Sequence, residues 1–136
     1  MIDPRSYIYD KAEHNVESLT EPELAYLTVK ALVASIQNGG LISYYYNNYA
    51  DHLEGCMESL ARIGATDMLK LVGEMNGLFG ESVPADLEAR NAVINFWGDN
   101  PQTDAKLDSM SENEQELAEA TDALLEDYLR QNGLGA

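Results

Sequence analysis

Basic residues are scarce in this chain: eight lysines and arginines stand against 24 aspartates and glutamates in 136 residues, a formal net charge of -16. A field of that sign repels nucleic acid and the anionic face of a membrane, and it draws in cationic proteins at rates that fall with salt. Cysteine is scarcer still, and Cys56 standing alone excludes an internal disulfide. Long apolar runs are missing: nothing approaches the roughly 18 residues that a membrane-spanning helix needs. No charged start followed by an apolar stretch resembles a secretory leader, so the cytoplasm is the expected setting. Zinc needs paired Cys-x-x-Cys or His-Glu-x-x-His, and calcium an alternating oxygen-ligand loop ending in glutamate; neither pattern occurs. Gly39 and Gly40 have no Gly-Lys-Ser/Thr or Gly-x-Gly-x-x-Gly around them, so they read as a helix stop and not as a phosphate loop. No metal and no cofactor are expected.

What is present is material for a core. A hydrophobic content of 45% in a chain the length of an ordinary domain predicts one packed unit over 1–136 that folds without disulfides or metals. Thr20 with Glu23 three residues on reads as a capping box. Leu24, Leu27, Val29, Ala31, Leu32, Val33 and Ile36 follow on nearly every side, which predicts a central, largely buried helix ending at Asn38, Gly39 and Gly40. The tyrosine-rich segment from Leu41 to Tyr49 also reads as a helix. Leu53, Cys56, Met57, Leu60 and Ala61 recur at helical spacing up to Gly64, with Glu58 placed to pair with Arg62. Thr66 reads as the cap of a helix lined by Met68, Val72, Met75 and Phe79. After a break from Gly80 to Pro84, Leu87, Val93, Ile94 and Trp97 continue the pattern, and the stretch from Gly98 to Pro101 reads as a turn. Ser111 with Glu114 reads as a second capping box that opens an acidic C-terminal helix over 111–132. Residues 1–19 are an N-terminal extension or short helix in which Pro4, Tyr7, Ile8 and Tyr9 cover the core. Sustained two-residue alternation is absent, so the expected fold is all-α, with about six to seven helices and no sheet.

The acids are not spread evenly along the chain. From Asp99 to Ala136 ten acids face two bases, which is half of the whole excess. On a helical wheel of about 100° per residue, Glu112, Glu116, Glu119 and Glu126 share one face with Asp127 at its edge, while Leu117, Leu124, Leu125 and Tyr128 fall opposite. Glu112 to Glu126 spans roughly 21 Å at about 1.5 Å per residue, a carboxylate every 5 Å or so. One DNA strand carries a phosphate about every 3.4 Å of axis, so the stripe is a line of charge of the kind that DNA-binding surfaces accept. A solvated helix face or life at high salt accounts for such acids equally; a high-salt protein spreads them over the whole surface instead of gathering them.

Two other constellations carry chemistry. His52 and Cys56 stand four apart with Asp51 adjacent, the outline of a thiol nucleophile and its base, although Cys56 also falls in the apolar stripe of a buried structural cysteine. His14 has no partner visible in the sequence. Tyr44, Tyr45, Tyr46 and Tyr49 suit an interface or half-buried packing, and nothing in their spacing separates the two.

The run Ile36-Gln37-Asn38-Gly39-Gly40-Leu41, then Tyr44-Tyr45-Tyr46-Asn47-Asn48, then Ser59-Leu60-Ala61-Arg62-Ile63-Gly64-Ala65 resembles the bacterial domain family represented by a neisserial DNA-mimic protein. The tail is similar too, from Leu107-Asp108 through an acidic helix to Tyr128-Leu129-Arg130-Gln131-Asn132. The resemblance covers about Leu24 to Asn132, with Leu41 and tyrosines where phenylalanines are usual around the turn. It implies an all-helical fold in which Asn38, Gly39, Gly40, Tyr45, Asn47, Ile63, Gly64 and Ala65 form a shared structural motif. It further implies binding to a helix-turn-helix transcription factor through an acidic face arranged like DNA phosphates. The expected function is thus an acidic DNA mimic that binds the nucleic-acid-binding surface of a basic protein, through Asp108, Glu112, Glu116, Glu119, Asp122, Glu126 and Asp127, without catalysis. An immunity-type inhibitor of a basic nuclease toxin is the alternative, and a small thiol hydrolase using His52 and Cys56 the alternative of another class. A homodimer, which would double the acidic surface, stays open.

Overall fold

Residue 20 begins the central element as the sequence pattern requires. The Thr20 hydroxyl accepts from the Glu23 amide at 3.3 Å and the Glu23 carboxylate accepts from the Thr20 amide at 2.9 Å, with Pro22 in the first turn. In the computed structural model, which describes residues 5–135, this helix is α2, Glu21–Gly39. Around it stand α1 (Tyr7–His14), α3 (Leu41–Tyr45), α4 (Leu53–Arg62), α5 (Thr66–Gly77), α6 (Leu87–Ile94), α7 (Pro101–Ser111) and α8 (Glu114–Gln131). Short 3-10 turns sit at Val16–Ser18, Asn48–His52 and Trp97–Asp99, and the described residues contain no strand. The all-helical expectation holds.

Helix α2 packs against α8, α4 and α3. Ala25, Val29, Leu32 and Ile36 are fully buried in that sandwich, and Ala118, Leu125 and Leu129 of α8 meet them. Each buried valine, leucine or isoleucine among them contributes about 1.5–3 kcal/mol. Helix α1 brings Ile8 into the same core, while Pro4 lies outside the described residues.

Where the structure departs from expectation, a local hydrogen bond gives the reason. There are eight α-helices among the described residues, and the added one is α7. The sequence pattern at its start predicts a turn, but Asn100 accepts from the amides of Gln102 and Thr103, and Pro101 takes the first helical position. The capping box expected at Ser111 does not form. Ser111 closes α7 with its hydroxyl on the Asp108 carbonyl at 2.8 Å, and α8 starts only at Glu114, whose carboxylate is used elsewhere. Thr66 is the first residue of α5 and not its cap, which is Ala65. Arg62 pairs with Glu21 of α2 at 3.2 Å in place of Glu58, tying two helices together where an i,i+4 pair would have stayed on one.

Candidate partner-binding surface

The corner between α7 and α8 is built from its buried side outward. Glu114 points back under the α2–α3 turn, and its Oε2 accepts from the Leu41 amide at 3.3 Å. Next to it Gln115 donates to the Ile36 carbonyl at 2.7 Å. The first two residues of α8 thus satisfy the amide at the start of α3, a group that a helix start leaves unpaired, and add a second donor to the Ile36 carbonyl, which also accepts from the Gly40 amide at 2.9 Å. Gly40 makes this possible: its φ is 85°, and a Cβ there would stand 2.6 Å from Glu114 Oε1. Burial pushes the Glu114 carboxyl up, against the opposing pull of the Leu41 amide.

Outside this clasp, Asp108, Glu112, Glu116 and Glu119 are exposed and make no ion pair among the described residues. Glu116 borders a groove of about 650 Å³ between α5 and the α7–α8 corner, where Asp67 and Glu74 face a lone Lys70. The second half of α8 is different. Lys30 of α2 reaches Asp122 at 2.6 Å and Glu126 at 2.8 Å, and Arg5 reaches Glu126 at 2.7 Å. Burial raises the Glu126 carboxyl, but Arg5 and Lys30 outweigh it and hold the group below its usual range. Asp127 is exposed and bonded to Arg130 one turn on. The stripe read from the wheel therefore divides: its first half is open to solvent, while Asp122 and Glu126 in its second half are tied to Lys30 of α2 and to Arg5 ahead of α1. Leu124, placed on the apolar face by the same wheel, is 38% exposed.

The other residues of the Asn-Gly-Gly, tyrosine and Ile-Gly-Ala segments fall in different environments. Gly64 takes φ 81° and ends α4, with the Ala65 amide on the Leu60 carbonyl at 2.9 Å and Ile63 and Ala65 buried. Tyr45 is fully buried with its hydroxyl on the Asn76 side chain, and Asn47 bonds the Ser43 carbonyl at 2.6 Å. Asn38 is exposed. The tyrosine run splits into two roles: Tyr44 and Tyr45 are core, while Tyr46 and Tyr49 are 37% and 52% exposed.

Nothing in the sequence pattern singled out Arg90, yet it is fully buried and fully paired. It donates to the carbonyls of Tyr45, Asn47, Pro84 and Ala85 and to Asp51 Oδ1, at 3.0–3.2 Å for the carbonyls and 2.9 Å for the carboxylate. An arginine four residues after a helix-capping aspartate looks like surface charge in one dimension; only the facing loop turns it into a core residue. The thiol reading of Cys56 fails on the same kind of evidence. Its sulfur is fully buried, donates to the Thr28 carbonyl at 3.7 Å, and is pushed by burial up to about 12, while His52 is exposed. Such a thiol is neither ionised nor reachable.

Fold and surface together define an all-helical acidic domain whose open carboxylates lie on α7, at its end and on the start of α8. A family model described as DMP19-like protein matches residues 17–132, and the chain belongs to that family. No curated protein and no solved structure matches it.

Proposed function

We propose that this chain is an acidic DNA mimic, occupying the nucleic-acid-binding surface of a basic protein, with a transcriptional regulator as the partner. The observation that carries the reading is the set of exposed, internally unpaired carboxylates at Asp108, Glu112, Glu116 and Glu119, held on a corner whose buried side is pinned by Glu114 and Gln115. Glu116 and Glu119 stand three residues apart on α8, about 4.5 Å at helical rise, of the same order as the 3.4 Å or so between phosphates of one strand. Arginines and lysines that meet phosphates would meet these carboxylates instead, with fast, salt-sensitive association. Membership of the family, together with the resemblance to a DNA-mimic protein seen in the Asn-Gly-Gly segment, supports the same reading. Asp122, Glu126 and Asp127 take a supporting part, since each is already neutralised by a neighbour.

The test is capture from nuclease-treated host lysate on immobilised protein, followed by competition between the purified captured protein and its labelled DNA. Expected is a basic DNA-binding protein that is eluted by salt and releases its DNA when this chain is added. The variant carrying Asp108→Asn, Glu112→Gln, Glu116→Gln and Glu119→Gln should compete at least about a hundredfold less well at low salt. Retention of a nuclease, inhibited by this chain, would favour the immunity-type reading; retention of nothing basic would end both.

A further inference from the structure

A second surface lies at the opposite end of α2. Leu19, Leu24, Leu53, Val83 and Pro84, all half-buried, form the floor of a groove of about 640 Å³. It is bounded by the Val16–Ser18 turn, the start of α2, the start of α4 and the loop before α6. Leu24 is twelve residues from Ile36, which places the groove about 18 Å along α2 from the Glu114 clasp. A floor of five aliphatic residues open to water is unfavourable to leave uncovered, at about 25 cal/mol for each Å².

The rim is acidic. Glu17 and Glu54 border the groove, are exposed, and make no ion pair among the described residues; Asp51 borders it too and is held by Arg90. The one other titratable group on the rim is His52. Gly55 adds a further sign of space. It stands inside α4, where alanine would favour the helix by about 1 kcal/mol, and a Cβ there would meet the Leu24 side chain first, at 3.4 Å, an ordinary contact. The glycine is not required by its backbone or by close packing, and its lack of a side chain leaves the groove open.

From the aliphatic floor and the acidic rim we infer that this groove binds a short peptide segment of a partner protein, with aliphatic anchors flanked by lysine or arginine. The anchors cover the leucines, and the flanking cations meet Glu17 and Glu54. The site is separate from the α7–α8 corner and does not depend on the DNA-mimic reading.

Two fluorescent peptides of equal length and charge serve as probes, one alternating lysine with leucine and the other lysine with serine, titrated against the full chain by anisotropy. The leucine peptide should bind about tenfold tighter. Glu17→Lys with Glu54→Lys should abolish most of that binding, and Gly55→Leu, which fills the groove, should reduce the leucine peptide to the level of the serine one. Glu112→Gln with Glu116→Gln should leave the difference between the peptides unchanged. Thermal melts establish that each variant is folded, and the charge pair, lying on the surface, stands independently if Gly55→Leu fails to fold. Equal affinity for the two peptides, or a leucine preference that survives both groove variants, would overturn the inference.

Discussion

Gly40 meets two demands at once, a left-handed backbone and the approach of a carboxylate to its α-carbon. Alanine there would carry the conformational cost of positive φ, about 1 kcal/mol or more, and would also push Glu114 off the Leu41 amide. We expect Gly40→Ala to lower unfolding free energy by about 2–4 kcal/mol in urea titration, whereas alanine at Gly73, where a Cβ meets open space within a helix, should raise it by up to about 1 kcal/mol. Arg90 is the other residue on which much rests. Arg90→Met would remove five hydrogen bonds and leave the Tyr45 carbonyl without its side-chain donor in the interior, and about 2–4 kcal/mol of destabilisation is expected. Arg90→Lys should recover little, because an ammonium has three donors and no planar fork. Cys56, neutral and enclosed, should resist a thiol reagent in the folded protein and react at once in denaturant; prompt native-state labelling would contradict the burial described here.

Among the elements, α2 was legible to within a residue because its signals are local: a capping box three residues wide and a glycine stop. The existence of α7 was hidden because Asn100 and Pro101 serve turns and helix starts alike, and α7 buries no residue fully to give it an apolar stripe. Helix α8 was legible in type and in its burial of Leu125, but the direction of its carboxylates was not. Glu114 and Glu116 are two residues apart and identical in sequence terms; one is enclosed by the α2–α3 turn and the other faces solvent, a distinction made by residues more than seventy positions away. The open half of the candidate surface could be read in advance, and the Lys30 and Arg5 pairs that close the other half could not. Those pairs make a prediction for the element. Lys30→Met leaves Asp122 and Glu126 without their shared cation, and α8 should fray at its C-terminal half, with amide exchange there rising about tenfold while the first turn stays protected by Glu114 and Gln115.

For the whole molecule, pH acts with two signs. Protonating the excess carboxylates relieves self-repulsion, so cooling the net charge from -16 as pH falls from 7 towards 5 should raise the melting temperature, and so should added salt at neutral pH. Glu23 acts the other way. Burial pushes its carboxyl up, but hydrogen bonds from Lys11, the Thr20 amide and Tyr7 outweigh that and hold it at about 2, against an ordinary value of 4.5. A depressed folded value means stability that is present above 4.5 and lost as pH falls towards 2, on the order of 3 kcal/mol. Glu126, also lowered, adds to this, and Glu114, raised, works weakly against it. A stability maximum near about pH 5 with a steep acid limb is expected in thermal scans, and Glu23→Gln should flatten that limb. A limb unchanged by the substitution would place the acid sensitivity elsewhere.

The buried guanidinium of Arg90 has a further consequence for how the molecule opens. Its donors hold the 45–51 segment and the loop at Pro84 and Ala85 together through a single planar group. Loss of either stretch leaves part of the same buried guanidinium unpaired, which weakens its hold on the other, so two regions nearly forty residues apart are coupled in opening. In native-state hydrogen exchange they should behave as one cooperative unit, with a common dependence on denaturant, although neither carries regular hydrogen bonding to the other.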